Sequence, residues 1–151
     1  MSELIGVVGE SGTGKSTACK GLDPKETAIV NCVGKPLPIK GWKKNYTPFN
    51  GKEKSGNYYS SDNTANILKF MKHISDERPE IKNIVIDDWQ YTMSNEFMRR
   101  SNEKGFEKFT EIGKNAWSTL NMGKALREGL NVFVLTHSDT VPGEFGAKPT
   151  I

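Results

Sequence analysis

Residues 9–16 read Gly9-Glu10-Ser11-Gly12-Thr13-Gly14-Lys15-Ser16, which places glycines, a lysine and a hydroxyl at the spacing G-x-x-x-x-G-K-S. Glycines allow a tight loop whose N–H groups converge on one anion, and a following helix adds positive potential at its N-terminus. In such a loop Lys15 reaches the β- and γ-phosphates of a nucleoside triphosphate. Ser16 offers its hydroxyl to Mg2+, a hard cation that takes oxygen ligands and keeps several waters. The candidate phosphate-contacting set is therefore Gly9, Glu10, Ser11, Gly12, Thr13, Gly14, Lys15, Ser16 and Thr17. Its context is the one the chemistry needs: an apolar run at 4–9 (LIGVVG) precedes it, and a short helical stretch, 17–20, follows and is closed by Gly21.

Two carboxylates, Asp87 and Asp88, end the apolar run Ile84-Val85-Ile86. An acid at the end of a buried strand beside a phosphate loop holds Mg2+, usually through water, which makes Asp87 the metal partner of Ser16. Asp88 stands where many ATPases carry the carboxylate that orients or deprotonates the attacking water; aspartate reaches about one methylene less far than the commoner glutamate. His137 follows NVFVLT, where a polar residue on a neighbouring strand can sense the γ-phosphate. Lys15, Asp88 and His137 are thus the catalytic candidates. The other histidine, His73, lies in a lysine-rich helix turn and reads as solvated; Cys19 and Cys32 read as buried free thiols.

Positioning these groups requires a particular order of elements. Apolar, β-rich runs at 4–9, 27–33, 83–89 and 131–136 predict four strands. Between them, Ser61-Asp62 caps a helix with Ala65, Leu68, Met71 and Ile74 on one face, and helical sequence covers about 94–100 and 106–127. In the last helix Phe109, Ile112, Trp117, Leu120 and Leu126 mark a face. The tail, 137–151, reads as a loop rich in Gly and Pro. Strands alternating with helices predict a three-layer α/β domain with a mostly parallel sheet and flanking helices, in which ligands bind beyond the carboxyl ends of the strands. The glycine loop, Asp87-Asp88 and His137 all fall at such ends.

The segment 34–60 breaks this rhythm. Prolines at 36, 38 and 48 and glycines at 34, 41, 51 and 56 predict a long loop or a small hairpin insertion. It carries Lys35, Lys40, Lys43, Lys44, Lys52 and Lys54 against Glu53, although the whole chain is only +3 and the remainder is net acidic. Interleaved with the lysines are Trp42, Tyr46, Phe49, Tyr58 and Tyr59. Cations for phosphates and aromatic faces for bases are the ingredients of single-strand binding. The same composition also fits a loop whose aromatics anchor it to the core while its lysines are solvated.

At 151 residues the chain, 1–151, is one domain's worth of sequence. Apolar residues at 35% and charged residues at 26%, with no run long enough for a membrane span, predict a soluble protein without a membrane partner. The N-terminus lacks the basic and long apolar regions of a signal peptide, so a cytoplasmic location is expected.

Beyond the phosphate loop and its acid, the chain resembles a family of phage and prophage ATP-binding proteins of the RecA-like P-loop class, some of which work beside single-strand annealing recombinases. The resemblance runs through GESGTGKST, VGKPLPIKGW, NIVIDDWQY, EFMRR, EIGKNAW, VFVLTHSD and the terminal KPTI. It implies a three-layer P-loop NTPase fold with RecA-like strand order, ATP with Mg2+ as ligands, and assembly into homo-oligomers. It also implies a role in phage DNA metabolism, single-stranded DNA and a recombination protein as partners, and the bacterial host cytoplasm as location. Gly9, Gly14, Lys15, Ser16 and Asp87 match the shared pattern. The resemblance implies that family members continue past the point corresponding to KPTI, so either the chain is truncated at its C-terminus or its sheet lacks an edge strand and an oligomer contact. The leading function is a Mg2+-dependent ATPase, with weak or DNA-dependent turnover, in single-stranded DNA recombination or annealing. One rival is a nucleotide or small-molecule kinase; such enzymes bring several arginines onto the donor phosphates, and only Arg78, Arg99, Arg100 and Arg127 exist here. Of these, Arg99, Arg100 and Arg127 are also the candidates for a finger offered to a neighbouring subunit. Another rival is an ATP-dependent switch or assembly module without turnover, which aspartate at 88 would permit. A GTPase is disfavoured because no Asn-Lys-x-Asp follows any strand.

Overall fold

Continuous apolar runs become central parallel strands because both faces of such a sheet are covered. The segment TAIVN is buried at every position, and NIVID at all but its first. The computed structural model describes residues 1–10, 14–143 and 146–150, with 139–143 and 146–150 described by their backbone alone. Five strands, β1 (Glu3–Gly9), β2 (Thr27–Asn31), β3 (Tyr58–Ser60), β4 (Asn83–Asp87) and β5 (Asn131–His137), form one sheet in the order β1-β5-β4-β2-β3. Every pairing in it is parallel. The helices are α1 (Trp42–Asn45), α2 (Thr64–Glu77), α3 (Gln90–Arg99) and α4 (Glu107–Ala125), with short 3-10 turns at Thr17–Gly21 and Pro24–Glu26. The fold is therefore α/β, a five-stranded parallel sheet with flanking helices. Where a loop-like tail was expected, β6 (Asp139–Gly143) and β7 (Gly146–Thr150) pair antiparallel as a separate ribbon. Among the described residues no helix is long and apolar enough to cross a membrane.

One face of the sheet packs on α2 and α4. Val30, Ile84, Ile86, Val132 and Val134 meet Ile67, Phe70, Met71 and Ile74 of α2, which recur at i, i+3, i+4 and i+7. This stripe differs from the expected one: Ala65 is exposed and Leu68 half-buried. Asn63, not Ser61 or Asp62, is the N-cap, its side chain accepting from Asn66 N at 3.1 Å. At the other end of α2, Arg127 donates to the carbonyls of Ile74 (2.8 Å) and Ser75 (2.9 Å) and to Ile81 O. On α4 the buried residues are Ile112, Ala116, Thr119 and Gly123, whereas Phe109 and Trp117 stand exposed.

Among the described residues no long helix covers the opposite face. Ile29, Val85 and Leu135 pack there against Cys19 of the first 3-10 turn and against Leu37 and Tyr46, with Ile39, Trp42 and Tyr58 beside them. The segment 34–60 thus supplies the second covering layer of the sheet; it is mostly loop, contains a small hairpin in which Asn50 and Ser55 pair antiparallel, and ends in a parallel edge strand, β3. Tyr46 is 3% exposed and Trp42 packs on Tyr58 at 5.0 Å between ring centroids, whereas Phe49 and Tyr59 of the same segment pack on the α2 face, Phe49 meeting Phe70 and Tyr59 edge-on. The aromatics face inward, while Lys40, Lys43, Lys44 and Lys52 are exposed. His73 is half-buried against Phe49, not solvated, and both cysteines are buried and free.

A direct consequence is that Tyr46→Ala should cost about 3–5 kcal/mol, as large aromatic truncations in cores do. Tyr46→Phe should be neutral or slightly stabilising, because the hydroxyl has no partner among the described residues. Chemical denaturation of the two variants checks this, and a Tyr46→Ala protein as stable as the parent would contradict the inward placement.

Candidate active site

The parallel topology brings the carboxyl ends of β1, β5, β4 and β2 to one rim. Register sets Gly9 of β1 opposite His137 of β5, and Asn31 of β2 opposite Asp87 of β4. Gly14 has φ +86°, a left-handed value costly for any residue with a Cβ, and this turns the chain out of the loop into the 3-10 helix. Ser11, Gly12 and Thr13 lie outside the described residues. Lys15 Nζ donates to the carbonyls of Gly9 (2.7 Å) and Glu10 (2.8 Å). Ser16 Oγ donates to both oxygens of Asp87, at 2.8 and 3.0 Å. Thr17 begins the 3-10 turn and is exposed. Among the described residues, Gly14, Lys15, Ser16, Thr17, Pro38 and His137 line a cavity of about 260 Å³.

Asp87 is 5% exposed. Burial pushes its carboxyl above the ordinary carboxylate value, Ser16 opposes that by donating to it, and the Asp88 charge adds to the rise. A carboxyl whose folded pKa is raised costs stability once pH has risen through that pKa. A cation beside Asp87 offsets that cost, and Ser16 Oγ with Asp87 supplies the hard oxygen pair that Mg2+ takes. These residues fit the ion. Asp87→Asn should therefore leave the metal-free protein as stable as the parent or more so, and should reduce the rise in melting temperature on adding Mg2+ with nucleotide. Thermal melts of both proteins with and without those ligands check this, and an unchanged ligand-induced rise would remove Asp87 from the site.

The chain turns sharply after Asp87. Asp88 has φ +56°, a left-handed conformation that Asp tolerates better than most residues and that occurs at functional turns. Trp89 N donates to Leu135 O at 3.0 Å and holds this turn against β5. Asp88 Oδ1 lies 3.1 Å from His137 Nε2. The two catalytic candidates beyond Lys15, read separately from sequence, are therefore one pair. His137 N also donates to Gln90 Oε1 at 3.3 Å, while Gln90 Nε2 and Thr136 Oγ1 are buried with no partner among the described residues.

Pro38, Gln90 and Tyr91, which meets His137 edge-on at 6.1 Å between centroids, were not singled out from sequence. Their signal was positional: each follows a strand that ends at the same rim. A larger cleft, about 340 Å³, opens at the other end of β2–β4 and is lined by Lys25, Lys44, Asn57 and Arg78. There Asn57 and Arg78 serve the fold, Asn57 Nδ2 donating to the carbonyls of Pro24, Thr27 and Asn45 and Arg78 donating to Gly56 O and Glu80.

The arginines are occupied elsewhere. Arg100 pairs with Glu103 and Glu111, both at 2.6 Å. Arg127 caps α2 as described, which removes it as a candidate finger. Arg99 pairs with Asp62 at 2.9 Å on the surface, an exposed contact of the kind that contributes little to stability. A scan against protein-family models and a search of curated proteins both return no match to this chain, so the geometry of the rim carries the functional reading.

Proposed function

We propose that this chain is a Mg2+-dependent ATP-binding protein of RecA-like P-loop type that hydrolyses ATP in phage DNA metabolism and couples that nucleotide to single-stranded DNA. The observation that carries the reading is the hydrogen bond from Ser16 to Asp87, 71 residues apart in sequence. It joins the glycine loop of β1 to the strand-end acid of β4 across the intervening β5, as a shared Mg2+ site requires. Ser16 and Asp87 would hold Mg2+, Lys15 the phosphates, and Asp88 with His137 the attacking water. Bound Mg2+ would neutralise charge on the phosphate oxygens. Asp88 would take the water's proton, and His137 would fix the direction of its carboxylate.

The lysines that project from 34–60 support a polyanion partner. Because the aromatics of that segment face the core, the contact would be electrostatic and steeply salt-dependent, with affinity falling about 0.7 log units per contact per decade of salt. The kinase alternative is weakened by the arginines, which already hold acids or carbonyls. The switch without turnover retains one supporting observation: the Asp88 carboxylate is already engaged by His137. If the protein assembles into a homo-oligomer, Arg99 is the arginine most available to a neighbour.

Steady-state phosphate release from ATP with Mg2+, with and without single-stranded DNA, separates these readings. Stimulation by DNA supports the leading one. Tight binding with negligible turnover under both conditions favours the switch, and phosphoryl transfer to a small acceptor favours the kinase.

A further inference from the structure

The geometry points to Lys35 as a second phosphate-contacting cation, supplied in cis by the loop after β2 and directed at the terminal phosphate of the nucleotide; this rests on the phosphate-cavity reading above. The loop belongs to the same rim, because β2 ends beside β4 and Cys32 N donates to Asp87 O at 3.2 Å. Its course is fixed by Asn31, which is 1% exposed. Asn31 Oδ1 accepts from Gly34 N (2.8 Å) and Val33 N (3.3 Å), and its Nδ2 donates to Lys35 O at 2.5 Å. Gly34 turns the chain with φ +75°, and Leu37, 6% exposed, pins the far side. Between these anchors Lys35 has a held backbone and an exposed side chain, and Pro38, three residues on, is a wall of the phosphate cavity.

The ammonium of Lys35 lies 5.9 Å from the centroid of Tyr91, whose ring meets His137, itself on the cavity wall and paired with Asp88. Among the described residues Lys35 has no carboxylate partner, whereas Lys54, Lys72 and Lys82 are paired with Glu77, Asp76 and Glu26. Phosphoryl transfer needs positive charge over the terminal phosphate beyond that of the loop lysine. With Arg78, Arg100 and Arg127 committed to the fold, Lys35 is positioned to supply it. An exposed cation over a ring is weakly held compared with a charge-assisted hydrogen bond, so a phosphate oxygen draws the ammonium off Tyr91.

The test compares affinities for a non-hydrolysable ATP analogue and for ADP, each with Mg2+, in the parent, Lys35→Ala, Lys40→Ala and Lys15→Ala proteins, with melting temperatures alongside. Lys35→Ala should weaken the triphosphate by about 10- to 100-fold, the range for a lost hydrogen bond to a charged group. It should change ADP less than about twofold and leave stability and the Lys40→Ala control unaffected. An unchanged triphosphate-to-diphosphate ratio in Lys35→Ala, with Lys15→Ala still strongly weakening binding, overturns this inference alone. Equal loss of both nucleotides overturns its assignment to the terminal phosphate. A parent protein that binds neither nucleotide overturns the cavity reading and this inference with it.

Discussion

Lys15→Ala is expected to lower affinity for ATP with Mg2+ by roughly 10²- to 10⁴-fold, the effect of losing charge-assisted hydrogen bonds to two phosphates. It should change stability by less than about 1 kcal/mol, as substitutions outside the core do. The division follows from where the side chain stands. Lys15 is only half-buried, and its ammonium is held by the carbonyls of Gly9 and Glu10 in its own loop. Truncation therefore opens no core cavity, while the triphosphate loses the one lysine that lines the cavity among the described residues. A titration with fluorescent nucleotide, paired with a denaturation curve, separates the two effects. A variant with parental affinity would contradict the assignment of the cavity, and one that unfolds would give Lys15 a structural role that its surroundings do not suggest.

The second large effect concerns Asp88. Asp88→Asn should spare nucleotide binding and lower the hydrolytic rate by about 10²- to 10⁴-fold, the usual range for a lost general base. Asparagine suits the experiment because it tolerates the left-handed φ of +56° and can still face His137 Nε2, so geometry is kept while the charge is removed. His137→Ala removes the partner instead and should lower the rate less, since the carboxylate remains and only its direction is freed. Single-turnover kinetics at saturating ATP measure the step. If Asp88→Asn weakens Mg2+-dependent binding as much as Asp87→Asn does, the two aspartates share one role and the division argued from their burial and partners is wrong.

The candidate site was legible in sequence where a motif fixes residue types at set positions: Gly14, Lys15, Ser16 and Asp87 were singled out that way, and the parallel sheet brings them to one rim. The Asp88–His137 pair was half legible: each residue was visible at a strand end, but their contact depends on a turn at Asp88 and on β5 lying next to β4, and neither has a sequence signal of its own. That the aromatics of 34–60 anchor it to the core while its lysines stay solvated was one of two readings open in sequence, but its role as a covering layer was hidden for a physical reason. Leu37, Trp42, Tyr46 and Tyr58 bury themselves at irregular intervals along a chain broken by proline and glycine, so no period of 2 or 3.6 announces a buried face. On α4 the error ran the other way. Small residues, Ala116, Thr119 and Gly123, face inward because the helix lies close to β1, and Gly123 O accepts from Ser2 Oγ at 2.7 Å. Phe109 and Trp117 were placed by spacing on one face with Ile112, Leu120 and Leu126, yet they stand exposed.

The central claim is that the rim formed by Gly14, Lys15, Ser16 and Asp87 binds a nucleoside triphosphate together with Mg2+. Calorimetric titration of the purified protein with ATP, once with Mg2+ and once with chelator, tests this most directly. One site per chain is expected, its affinity falling by at least about tenfold when Mg2+ is removed, the effect of losing a charge-assisted contact. Binding that is equally tight without Mg2+, or no binding under either condition, would contradict it.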